Sequence, residues 1–181
     1  MTTALANRLI HFRDSRGERV PRWPDVLLPS ATVVVVRRMS IPLEQPWEIL
    51  CHQRADNQWW ALPGGAMEIG ESVLACARRE ILEECGLSIS RPVLVSIDSD
   101  PATNAIVAYP DNRLIQYCNL TFVALAIHGT LAKSSESVQL EWRSTTTLPE
   151  PFLPAHRWRL AQAERWRACC ATGQGFDVAV R

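Results

Sequence analysis

One 23-residue segment, from Gly65 to Leu87, restricts this chain more than any other part of it. It reads Gly-Ala-Met-Glu-Ile-Gly-Glu-Ser-Val-Leu-Ala-Cys-Ala-Arg-Arg-Glu-Ile-Leu-Glu-Glu-Cys-Gly-Leu. Helical spacing runs from about Glu71 to Cys85 and stops at Gly86, a residue that takes the left-handed conformation past a last turn without strain. On that helix Glu80, Glu83 and Glu84 stand at i, i+3 and i+4 in one sector, and Leu74, Ala77, Ile81 and Cys85 form a neighbouring stripe suited to a core. Like charges so placed repel by about 0.2–0.5 kcal/mol per close pair in an isolated helix. They also crowd the half of the helix whose dipole disfavours anions. A scaffold gains nothing from this. The carboxylate sector is expected to face solvent, where a hard divalent cation relieves the conflict; Mg2+ prefers oxygen ligands and bridges carboxylates to phosphates. For Glu-x-x-Glu-Glu alone, a solvated acidic face with incidental arginine pairing is the other reading. Arg79, four residues before Glu83, can pair with that carboxylate while the other two face a metal. Gly64, Gly65 and Gly70 permit backbone shapes closed to other residues and a close approach to a ligand.

The flanking sequence supplies a sheet for this helix. Residues 31–38 are β-branched and almost continuously apolar, as in a strand buried on both faces. Strand character returns at 48–54, 59–62, 93–97, 114–127 and 138–142, with turn signals at Ser99-Asp100-Pro101 and Tyr109-Pro110-Asp111-Asn112. Trp59 and Trp60, consecutive in a strand, must point to opposite faces. A second helix spans about Pro154 to Cys170, with Leu160, Ala163 and Trp166 on one side. This order predicts an α+β domain with helices covering a mixed sheet. Residues 1–29 read as an N-terminal extension, 30–170 as the domain and 171–181 as a tail. Arg8, Arg13, Arg16, Arg19 and Arg22 along the extension read as a solvated surface or a phosphate-binding arm.

Charge and composition exclude whole classes. Nineteen basic residues balance nineteen acidic ones, so no global field gathers nucleic acid or an anionic membrane. The apolar run at 31–36 is far short of the ~20 residues that span a bilayer, and no secretory leader is visible. A soluble cytoplasmic protein with neither nucleic-acid nor membrane partners is expected. Six cysteines without a C-x-x-C pair read as reduced thiols, and the four histidines as packed or surface residues. Trp23 and Trp47 suggest apolar surface that a second copy would cover, which predicts a homodimer.

The full spacing identifies more than an acidic helix. From Gly65, five residues lead to Glu71 and seven more to Arg79-Glu80-Ile81-Leu82-Glu83-Glu84-Cys85-Gly86-Leu87. All nine defined positions agree with the Nudix box, and Trp60-Ala61-Leu62-Pro63-Gly64 is similar to the usual lead-in. The resemblance to the Nudix hydrolase family covers roughly residues 30–170. It implies an α/β/α sandwich with the box as a loop–helix–loop. It also implies Mg2+-dependent (or Mn2+-dependent) hydrolysis of a nucleoside diphosphate linked to another moiety. By position, Glu80, Glu83 and Glu84 resemble the metal-binding carboxylates, Glu80 or Glu84 positions the attacking water, and Arg79 orients Glu83. Glu71 resembles a loop–helix support that approaches a second metal, and the carbonyl of Gly64 or Gly65 a further ligand.

A general base outside the box would be Glu136 or Glu141, with Glu136 preferred for its loop-like setting. Gly64, Gly65, Arg54 and Glu68 are candidate substrate contacts, Glu68 also lying near the expected metal cluster. Pro101 resembles a proline placement of ADP-ribose pyrophosphatases and equally an ordinary turn proline. An ADP-ribose-like substrate is therefore expected first. A MutT-type nucleoside triphosphate hydrolase is the alternative, and a non-catalytic nucleotide-binding module the second alternative.

Overall fold

The computed structural model of the chain describes residues 12–38, 46–103, 105–109 and 111–181. In chain order the elements are β1 (Val26–Val36), β2 (Glu48–Arg54), β3 (Trp60–Ala61), β4 (Gly64–Ala66), α1 (Val73–Cys85), β5 (Leu87–Ile89), β6 (Val93–Asp98), β7 (Ile106–Ala108), β8 (Leu114–Gly129), β9 (Ser137–Ser144), α2 (Pro154–Thr172) and β10 (Ala179–Val180). The central pair is β1 and β8, parallel from Val26 opposite Ile115 to Val36 opposite Leu125. Antiparallel β2 and β6 flank this pair, β9 adds to β2, and β10 runs parallel to β6, so the sheet is mixed. Strand β1 starts five residues before the run read as a strand. Pro29 lacks an N–H and so argues against a strand, yet pairing with β8 continues past it and its carbonyl accepts from the Met67 N–H at 3.0 Å.

Alternation along β1 divides the core between two helices. Ala31, Val33 and Val35 point to one face, where Cys76, Ala77, Ile81 and Cys85 of α1 pack on them. Val34 and Val36 point to the other, beneath Leu160 and Ala163 of α2, with Trp47 and Trp60 beside them. Helix on each face of a sheet is the expected α+β sandwich. Full burial of one such aliphatic side chain is worth about 1.5–3 kcal/mol. Of the consecutive tryptophans, Trp60 is buried and Trp59 half-buried.

Residues 12–25 lie along the sheet edge. Phe12 and Val20 are buried against Ile106 and Leu114, and Trp23 meets Phe12 edge-on with ring centroids 5.0 Å apart. Trp47 is 2% exposed in the α2-side core. Trp47 is thus covered within the chain and Trp23 partly so, which weakens the sequence argument for a homodimer. Arg8 and His11 lie outside the described residues. Among the described residues no helix is long and apolar enough to cross a membrane.

Candidate active site

Local chemistry explains the loop–helix–loop. Ser72 caps α1 by accepting from the Ala75 N–H at 3.2 Å, and Gly86 closes it at φ 70°. Of the two glycines ahead of the helix, Gly64 is required by close approach to backbone, and Gly65 leaves room for the Glu80 side chain. A Cβ on Gly64, at φ 141°, would lie 2.8 Å from Thr32 Cα; one on Gly65 would lie 2.6 Å from the Glu80 carboxyl carbon. Pairing of β4 with β1, Gly64 opposite Thr32, brings this turn beside the end of α1.

The carboxylates do not share one exposed sector. Glu83 is exposed, with a 60% accessible side chain, Glu80 is largely covered, and Glu84 is only 6% exposed. The solvent-facing placement expected for all three is therefore corrected. Glu84 turns inward because the cavity edge, not bulk water, lies beyond the last turn of α1, and it accepts from the Gly64 N–H at 2.9 Å. Burial raises the Glu84 pKa to about 8; the Gly64 N–H opposes that rise, while Glu80 and Glu136 add to it. Glu80 is also raised by burial, which outweighs the neighbouring Arg79 guanidinium.

Arg79 is a hub rather than a partner of Glu83 alone. Its Nε and Nη2 donate to both oxygens of Glu71 at 3.1 and 2.8 Å, Nη2 to the Ala66 carbonyl at 3.1 Å, and Nη1 to Glu80 and Glu83 at 2.9 and 3.1 Å. Glu71 also accepts from the Glu68 N–H at 2.7 Å. The Arg79 bonds, with that N–H, hold its pKa down at about 2. With both oxygens so used, Glu71 fastens loop to helix.

Among the described residues no three His, Cys, Asp or Glu side chains converge tightly enough to hold a metal ion. Glu83 is turned out to Arg79, so the set Glu80–Glu83–Glu84 is not assembled. The donor chemistry nonetheless fits a hard cation. Glu80, Glu84 and Glu136 line one cavity and repel one another. Mutually repelling carboxylates, two of them largely buried, are what a divalent ion compensates.

That cavity, about 810 Å3, gathers residues from distant parts of the chain. Gly64, Gly65, Glu68, Arg79, Glu80, Glu84, Arg54 and Glu136 line it. Glu141 does not; it pairs with Arg143 on β9. Arg54 is held by Asp56 at 2.9 and 2.6 Å. Sequence reading did not single out Thr32, Asn119, Tyr109, Tyr117, His156 or Arg159, which also face the cavity, or place Arg16 there. Only the arginine spacing of the extension carried a signal, for Arg16. His156 was read as an ordinary packed residue. Pro101 does not line the cavity; it sits in a turn whose carbonyl accepts from the Arg13 N–H at 2.9 Å.

A mixed sheet between two helices, with a carboxylate-bearing loop–helix–loop opening on a cavity, is the architecture of the Nudix fold. The NUDIX domain model matches residues 27–164, and the chain belongs to that family. The Nudix hydrolase YvcI of Bacillus subtilis is 32% identical over 108 residues, 59% of this chain and 65% of that protein. The 8-oxo-dGDP phosphatase NUDT18 of Mus musculus is 30% identical over 165 residues, 86% of this chain and 46% of that protein. The chain thus spans less than two thirds of either relative. A crystal structure of an ADP-ribose pyrophosphatase from Streptococcus suis shares the fold, with TM-score 0.60 and 18% identity over 85% of this chain and 98% of that one.

Proposed function

We propose that this chain hydrolyses a phosphoanhydride bond of a nucleotide-type substrate, aided by Mg2+ or Mn2+. The observation that carries this reading is the joint presence of Glu80, Glu84 and Glu136 on the wall of one cavity with Arg16 and Arg54. Glu80 and Glu84 would hold the cation, which when bound neutralises phosphate charge and acidifies bound water. The Gly64 N–H fixes the direction of Glu84, and Arg79 fixes Glu80. Glu136, exposed on the loop before β9, is the carboxylate best able to take a proton from the attacking water. Arg16 and Arg54 offer guanidinium donors to phosphate oxygens, as such planar forks do in general.

For the substrate, nucleoside di- or triphosphates are set ahead of ADP-ribose. Pro101, the residue behind the ADP-ribose expectation, is not on the cavity wall. The name of one relative, an 8-oxo-dGDP phosphatase matched over 86% of this chain, points the same way. The test assays nucleoside di- and triphosphates, ADP-ribose and a nucleotide sugar with Mg2+, Mn2+ or excess EDTA. Cleavage of a di- or triphosphate that EDTA abolishes is expected. Full turnover in EDTA refutes the cation role, faster cleavage of ADP-ribose reverses the substrate order, and binding without turnover marks a non-catalytic module.

A further inference from the structure

On the face of the sheet opposite α1, the cavity wall is built by Ser30, Thr32 and Asn119 of the β1–β8 pair and by His156 and Arg159 of α2. The hydrogen bonds of this wall have definite directions. Asn119 donates both amide hydrogens, to Ser30 Oγ and Thr32 Oγ1, each at 2.9 Å, and accepts from Thr121 Oγ1 at 3.1 Å. Arg159 Nη1 donates to Thr32 Oγ1 at 3.3 Å. Ser30 and Thr32 therefore accept within the wall, and their own hydroxyl hydrogens remain to donate. His156 Nδ1 accepts from the Leu62 N–H at 3.0 Å. Burial, reinforced by Arg159, keeps the imidazole neutral, so its single hydrogen is on Nε2. Nε2 stands 3.1 Å from Arg159 Nη1, two donors face to face. Arg159 Nε is buried with no hydrogen-bond partner among the described residues.

Charge leads to the same place. Arg159 is 6% exposed, and the carboxylate it can reach is Asp98, 3.7 Å away and fully buried. Asp98 is already held by Arg181 through two bonds of 3.1 Å. Two guanidinium groups share one carboxylate, which leaves a surplus positive charge in the wall. Such a charge is costly unless an acceptor completes its shell. With Arg16 and Arg54 assigned to the phosphates in the proposed function, this wall is left for the other end of the substrate.

We propose that Ser30, Thr32, His156 and Arg159 form a subsite for the nucleobase that selects a 6-oxopurine of the guanine type over adenine. Adjacent O6 and N7 acceptors match a guanidinium fork. The adenine N6 amine would set a donor against donors. The inference rests on the nucleotide-hydrolase reading for its ligand, and Arg159 is its specificity-determining residue.

The test uses the full chain. Binding of inosine monophosphate and adenosine monophosphate, which differ at the 6-position, is measured by calorimetry with Mg2+. In parallel, kcat/KM is measured for inosine or guanosine against adenosine di- and triphosphates. Both are repeated in Arg159→Lys, which keeps a charge beside Asp98 but loses the fork, and in Arg159→Gln. The wild type is expected to prefer the oxopurine by roughly tenfold or more, the discrimination of one good bidentate pair. In Arg159→Lys that ratio should fall to within roughly threefold, mainly through KM for the oxopurine. Equal or tighter binding of adenosine monophosphate by the wild type overturns the proposal even if both variants fail to fold. An unchanged ratio in a folded Arg159→Lys also overturns it. If the wild type cleaves no nucleotide, the hydrolase reading falls, and the two monophosphate affinities still decide this one.

Discussion

Replacing Glu84 by glutamine removes a charge from a buried position while keeping an oxygen for the Gly64 N–H. In the metal-free fold the Glu84 pKa is raised by burial from its ordinary 4.5 to about 8. A carboxyl whose folded pKa lies above its unfolded value binds its proton more tightly in the native state. Its stabilising contribution is complete below pH 4.5 and is lost as pH rises through about 8. Each tenfold change in such an equilibrium is about 1.4 kcal/mol, so carrying the ionised form costs the metal-free fold on the order of 4–5 kcal/mol above pH 8. Glutamine escapes that cost. Thermal unfolding in EDTA should show the wild type losing stability from pH 5 to pH 9 and Glu84→Gln losing much less. The gap at pH 9 should be on the order of 10 °C for a chain of this size. Mg2+ at pH 8 should raise the wild-type melting temperature by mass action and leave the variant nearly unmoved. Hydrolysis by the variant should fall on the order of 10³-fold. A variant that melts below the wild type at pH 9 in EDTA would refute the reasoning, because Glu84 would then be a structural anion.

Other perturbations separate holding from acting. Arg79→Ala frees Glu71, Glu80 and Glu83 together, and steady-state kinetics should show a loss of roughly 10–100-fold, the usual size of an outer-sphere defect. An unchanged rate would leave the hub without a function. Gly65→Ala drives a methyl group against the Glu80 carboxyl group. Its Mg2+ affinity and kcat should fall while circular dichroism stays native, and wild-type metal affinity would show that Glu80 is not a ligand. Ile81→Ala empties a fully buried position beneath β1. Urea unfolding should report a loss of about 2–5 kcal/mol, and a loss below 1 kcal/mol would show that α1 packs more loosely than its burial implies.

The helix side of the site was legible because its signals are local. Spacing along one helix brings Glu80, Glu83 and Glu84 within a turn of one another, and Gly86 marks where it ends. Which of the three turns inward was not legible. That depends on the pairing of Gly64 with Thr32, set by contacts about 30 residues apart in sequence. The wall on the other face was hidden altogether. Ser30 meets Asn119 only through the parallel register of β1 on β8, and a parallel pair has no hairpin turn to announce its register. Helix α2 gave little help, since it buries Arg159 and Gln162 among Ala155, Leu160 and Ala163. A polarity pattern assigns an arginine to solvent; the Asp98 and Thr32 contacts that keep Arg159 inside come from β6 and β1.

Strand β1 separates two tasks by parity. Its odd residues Ala31, Val33 and Val35 floor the helix that bears the acidic groups, while the side chains of Ser30 and Thr32 join the donor wall. A substitution at Ser30, Thr32 or Arg159 can therefore redraw what is recognised without repacking the ground on which cleavage stands. A single-residue insertion in β1 would do the reverse, exchanging the two faces at once. On the proposed reading, the strand insulates recognition on one face from cleavage on the other.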